Sequence, residues 1–134
     1  MEKISFKKFL PGIAWFFIIM VLTCLPGSDL PKIGWLNKIH FDKWVHIGMF
    51  AILVFLFSLP FFKSRLSLTK KINYFLWITI TASFWGLAIE FIQKYLVVGR
   101  SFDLLDWAAD SAGAFISFFY CRNRIEKTSS IAKV

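Results

Sequence analysis

Asp42 and His46 stand four residues apart and Glu90 and Gln93 three apart, and Asp103, Asp106 and Asp110 follow at steps of three and four. On an α-helix such steps bring side chains onto one face. A histidine among carboxylates is material for general acid–base catalysis, because imidazole gains and loses its proton near neutral pH. His46, Glu90 and Asp106 are the catalytic candidates, with either carboxylate as the partner of the histidine. Arg100 can clamp a phosphate through paired hydrogen bonds, with Lys43 as a second cation. Asp42, Lys43, Gln93, Arg100, Asp103 and Asp110 are therefore candidates for holding a ligand. A metal reading of His46, Glu90, Asp106 and Asp110 would suit a hard or borderline ion. It lacks any local signature such as H-E-x-x-H, so no metal is expected. The sequence does not identify a cofactor, and His40 reads as a loop residue.

The elements that must position these residues are apolar runs. The 134 residues allow one domain and are 57% hydrophobic, with 17 Phe and 6 Trp. A soluble domain of this size has too much surface to hide that much apolar material. Four stretches are long enough, or nearly so, to cross a bilayer as helices: about 10–25, 44–62, 74–96 and 104–121. Pro11 fits a helix start, where its missing N–H costs nothing. The segment LPGSDLPKIGW after the first run is rich in Pro and Gly and reads as a loop. A signal peptide is the competing reading of the first run, but no A-x-A-like cleavage site follows, and a retained helix is preferred. The expected fold is an all-α, integral membrane four-helix bundle.

Basic residues set the orientation. Eleven of the 16 Lys and Arg lie before the first run, between the second and third, or after the fourth. The positive-inside tendency then puts both termini in the cytoplasm. The net charge of +8 falls in clusters between apolar runs rather than along a soluble face, so no nucleic-acid partner is expected. Trp35, Trp44, Tyr95 and Trp107 mark the outer interface, and Tyr74, Trp77 and Tyr120 the inner one. Cys24 and Cys121 fall on opposite sides, which argues against a disulfide.

Six of the 8 acidic residues fall on the outer half: Asp29, Asp42, Glu90, Asp103, Asp106 and Asp110. Topology needs no such concentration, because acids contribute little to it. Glu90 and Asp110 lie roughly 9 Å inside the membrane by helical rise. A carboxylate facing lipid there costs about 2.5 kcal/mol or more, so both are expected to face the bundle interior or a water-filled cavity. Ionisable residues at such depth are a functional-site hypothesis by default.

The ordered set Asp42-Lys43-x-x-His46, Glu90-x-x-Gln93, Arg100-x-x-Asp103-x-x-Asp106 and Gly113 resembles the VanZ-like family, small bacterial membrane proteins named for a member linked to teicoplanin resistance. The resemblance covers about Asp42 to Phe118. Asp110 departs from it, standing where the family pattern usually carries Asn, so its carboxyl calls for a proton or a pairing with Arg100. The resemblance implies a multi-pass protein of the bacterial cytoplasmic membrane, and the polar site at its outer end adds membrane lipids and a lipid-linked envelope precursor as the expected partners. The expected function is an outward-facing polar site that binds or processes an anionic, lipid-linked ligand of the cell envelope, tied to glycopeptide resistance. Two alternatives stand beside it: a polar network that locks helix packing, and a metal-dependent membrane hydrolase. A transporter fits poorly, because the inner halves of the helices carry few polar residues beyond Thr79, Thr81 and Ser83.

Overall fold

The computed structural model describes residues 4–26 and 40–131. The expected outer loop residues Asp29, Lys32, Trp35 and Lys38 lie outside them. Among the described residues the protein is all-helical, with no strand. A 3₁₀ turn, Phe6–Phe9, leads into α1, Leu10–Thr23; α2 is Phe41–Phe62, α3 Leu68–Leu96 and α4 Leu104–Ile131. Three segments are long and apolar enough to cross a membrane: Phe6–Thr23, Phe41–Phe62 and Leu68–Leu96. The fourth helix is as long as these but more polar, since it carries Asp106, Asp110 and a charged last third.

Each helix starts and stops for a local reason. Pro11 sits in the first turn of α1, where its absent N–H is not missed. His40 precedes α2 in the left-handed region (φ 49°), and Asp42 in the first turn opposes the positive end of the helix dipole. Pro60 cannot donate to the carbonyl a turn earlier, and α2 ends two residues beyond it. Gly99 takes φ 74° in the turn that follows α3, a conformation that costs a Cβ-free residue little. Asp103 begins α4 as a cap: its Oδ1 accepts the Leu105 N–H at 2.8 Å.

The helices outrun the apolar stretches at several ends. The helix α2 begins three residues before Trp44, α3 six before Tyr74, and α4 continues ten past Cys121. Hydropathy measures the part of a helix that suits lipid, whereas the helix itself continues while its backbone bonds and packing persist. In the last turns of α4, Arg122 pairs with Glu126 at 2.9 Å, and Ile125 is buried against Phe61, Phe75 and Phe118. At the start of α3, buried Lys71 donates to the Phe62 carbonyl at 3.2 Å.

The core has two parts. Ile19, Phe50, Leu53, Val54, Ala82 and Ile89 fill the half nearer the polar end, and Phe61, Phe75, Phe118, Cys121 and Ile125 fill the other. The helix α4 packs chiefly against α2 and α3, while α1 lies on α2 and meets α3 only lightly. Gly113 allows the α2–α4 approach: a methyl there would run into the Ile47 carbonyl oxygen and lie 2.9 Å from its carbonyl carbon.

Candidate functional site

The helices α2 and α4 leave the same end of the bundle and run side by side in the same direction, so equal steps along each match. Lys43 in the first turn of α2 meets Asp106 in the first turn of α4. One turn on, His46 meets Asp110, and next Ile47 lies against Gly113. This parallel register builds the site.

Lys43 Nζ donates to Asp103 Oδ2 at 2.5 Å and to Asp106 Oδ1 at 2.5 Å, and lies 3.0 Å from Asp42 Oδ2. One ammonium thus joins α2, the start of α4 and the residue that caps it. Asp103 lies outside the helices, and its hydrogen bond from Lys43 holds its carboxyl below the usual carboxylate range. Deeper in, His46 Nδ1 and Asp110 Oδ1 are 2.8 Å apart, and both side chains are buried. With Asp110 ionised, Nδ1 carries the shared hydrogen and Nε2 is left for a second partner.

The helix α3 adds Glu90, which is wholly buried. Its Oε2 accepts the Asp103 N–H at 2.7 Å, which ties α3 to the lysine-centred group. Its Oε1 is buried with no hydrogen-bond partner among the described residues, and so is Asp110 Oδ2. Asp110 has room because α3 carries glycine opposite: a Cβ at Gly86 would lie 2.7 Å from Asp110 Oδ2 and 2.9 Å from its Cβ. Further along the same α3–α4 seam, Ser83 and Ser111 hydroxyls meet at 2.7 Å, and Trp107 Nε1 donates to the Ser83 carbonyl at 3.1 Å.

The expected site residues therefore separate into three sets. Asp42, Lys43, Asp103 and Asp106 form one ion cluster, with Glu90 attached through a backbone N–H. His46 pairs with Asp110 rather than with Glu90 or Asp106, the partners first expected. Gln93 and Arg100 turn instead toward the end of α1. Gln93 Nε2 donates to the Thr23 carbonyl at 2.9 Å, and Arg100 Nε donates to the Leu25 carbonyl at 3.4 Å. The expected pairing of Arg100 with Asp110 is not made: Arg100 has no ion pair among the described residues. Helix ends leave carbonyls without intrahelical partners, and α1 offers Gln93 one in its last turn while Leu25, just past the helix, offers Arg100 another.

Sequence reasoning missed the last turn of α1 as part of this end of the bundle, and it missed Gly86. A glycine one helical turn before Glu90 in an otherwise bulky run was the available signal for the second. Of the five carboxylates (Asp42, Glu90, Asp103, Asp106 and Asp110), three share the Lys43 ammonium and one pairs with His46, while Arg100 turns away toward the end of α1. Among the described residues, no three His, Cys, Asp or Glu side chains are set to hold a metal ion. Fold and site together define, among the described residues, an all-helical protein with three segments of membrane length and a buried acid–histidine cluster at one end. No family model, no curated protein and no solved structure matches the chain.

Proposed function

We propose that the chain is a four-helix integral membrane protein of VanZ-like type in the bacterial cytoplasmic membrane, with both termini in the cytoplasm. Its polar cluster, at the extracytoplasmic end, binds or processes a lipid-linked anionic ligand of the cell envelope. The observation that carries this reading is a pair of buried carboxylate oxygens with no partner among the described residues, Glu90 Oε1 and, on the residue that pairs with His46, Asp110 Oδ2. Buried polar atoms are nearly always satisfied, and an unsatisfied one costs about 1–3 kcal/mol or more when charged. Two such acceptors within the acid–histidine cluster suit donors brought by a ligand, a hydroxyl or an amine, with His46 to exchange a proton. The anionic part of the ligand falls to Arg100, whose terminal nitrogens remain beyond its bond to Leu25. Lys43 is committed to its three carboxylates and is a poor second clamp. On the VanZ resemblance, the ligand is a lipid-linked envelope precursor and the phenotype is tolerance of glycopeptide antibiotics such as teicoplanin.

Glu90→Gln and Arg100→Gln test the reading, because each keeps much of the volume while removing charge. Both variants are expected to lose teicoplanin tolerance in cells and binding of lipid-linked precursor in detergent. Their melting temperatures should stay within a few degrees of the parent, corresponding to less than about 1 kcal/mol. Full activity in both variants would end this proposal. Melting and activity falling together would instead favour a second reading, a clasp that fixes helix register. That reading has its own support in Lys43, which joins α2, the capping residue and α4 as a structural clasp would.

The orientation has a separate test in the exposed loop between α2 and α3. A cysteine placed at Ser67 should react with a membrane-impermeant maleimide only after the cells are opened. Labelling of intact cells would invert the topology and put the acidic cluster inside.

A further inference from the structure

Away from the acidic cluster, α1 and α3 are held together near one end and separate toward the other. Gln93 reaches the Thr23 carbonyl at 2.9 Å, and below it the Phe16 and Trp85 rings meet with centroids 5.0 Å apart. Beyond that contact a groove of about 360 Å³ opens between the two helices, floored by Leu53 and Phe57 of α2 and walled by Trp77, Thr81 and Trp85 of α3. Its lining is almost wholly apolar. It follows α3 from Trp85 to Tyr74, eleven residues or about 16 Å of helix. That is close to half of the roughly 30 Å hydrocarbon core, the depth of one leaflet.

The mouth of the groove is basic. Phe9 packs against Phe57 (6.4 Å between centroids) and Phe61 (5.8 Å), and Phe61 stacks on Tyr74 at 4.7 Å. These rings fix the Phe6–Phe9 turn, with Lys7 and Lys8, at the Tyr74 end. Lys70 lies one turn before Tyr74 on the same face of α3. All three lysines are exposed, and none makes an ion pair among the described residues.

We propose that this groove is a binding site for one acyl chain of an anionic phospholipid, whose phosphate is held by Lys7, Lys8 and Lys70. Leaflet-length apolar walls suit the chain, and three exposed cations at the mouth, without ion pairs among the described residues, select a negative headgroup over a zwitterionic one. A second copy of this chain is a worse occupant, because symmetric pairing through the groove would bring both sets of lysines together. The site lies at the opposite end of the bundle from the acid–histidine cluster and does not rest on the function proposed for that cluster.

Trp77 and Trp85 line the groove and report directly on what fills it. The full-length protein would be reconstituted in mixed vesicles in which either phosphatidylglycerol or phosphatidylcholine carries dibrominated acyl chains, which quench tryptophan on contact. The parent is expected to be quenched preferentially by phosphatidylglycerol, each lysine contributing about five-fold. Lys8→Gln combined with Lys70→Gln should lower that preference by an order of magnitude or more, on the order of two such contributions. Thr81→Phe fills the groove without touching charge and should abolish the preference. High salt applied to the unaltered parent should weaken it as well, which covers the case of a variant that does not fold. Equal quenching by the two lipids in the parent would overturn the proposal, as would a preference that survives the lysine changes, Thr81→Phe or high salt.

Discussion

Gly113→Ala is expected to disrupt the bundle more than any other single methyl group. The new Cβ would meet the Ile47 backbone on α2 at less than a van der Waals separation, and backbone inside a helix has no rotamer with which to retreat. The two helices must move apart along the seam that carries both rungs of the site, because His46 immediately precedes Ile47 and Asp110 lies one turn before Gly113. Overpacking of this kind costs about 1–3 kcal/mol and occasionally more. Here part of that cost would appear as loss of the 2.8 Å His46–Asp110 contact. Thermal denaturation in detergent should show a markedly lowered midpoint, and the His46 imidazole resonances should move toward those of a solvated histidine. By comparison Gly48→Ala should be nearly silent, since a Cβ there meets nothing within 4 Å. Equal stability of the two alanine variants would mean that α2 and α4 do not cross as closely as described.

The parallel register explains what could be read from the sequence and what could not. The steps 43, 46, 47 on one helix and 106, 110, 113 on another carry the site, and both were visible as spacings. Spacing shows which residues share a face; it does not say which face meets which. The two helices start at the same end because α3 runs back between them, and from that alone Asp110 could have been paired with His46. Residue type does not separate Asp110 from Glu90 and Asp106, three carboxylates near the same end, and it does not determine depth. Glu90 instead spends one oxygen on the backbone N–H of Asp103, a bond to a group that every non-proline residue carries and that leaves no mark in a sequence.

Backbone acceptors account for the other departures too. Arg100 and Gln93 were read as ligand-facing because their side chains are polar, yet both donate to carbonyls at the end of α1. Helix ends show the same limit from another side. The charged last third of α4 looks like a tail by hydropathy, but it continues the helix through the Arg122–Glu126 pair and the burial of Ile125. Hydropathy answers a question about solvent, and the chain settles its helix ends by hydrogen bonding and packing.

Lys43→Gln is expected to cost the most of any single charge removal, and its dependence on pH tells why. Lys43 Nζ is the common partner of Asp42, Asp103 and Asp106, and its side chain is 16% exposed and that of Asp106 10%. Glutamine keeps a donor but no charge, so three carboxylates are left facing one another. Removing one partner of a buried ion pair costs about 3–5 kcal/mol. Asp103 is 39% exposed and partly solvated, which places the expected loss near the lower figure. In the parent, the hydrogen bond from Lys43 holds the Asp103 carboxyl low, so its contribution to stability is complete above the ordinary aspartate range. That contribution is lost as pH falls through the lowered value. In Lys43→Gln the sign reverses, because protonation relieves the repulsion among the acids. Acidifying from neutral to about pH 4, near the ordinary aspartate value, should therefore narrow the gap in melting temperature between parent and variant. Asp106→Asn added to Lys43→Gln should restore most of the loss, giving a coupling well above about 0.5 kcal/mol for residues in direct contact. Additive effects in that double variant, or a gap that is flat with pH, would show that the lysine does not bridge these carboxylates in the folded protein.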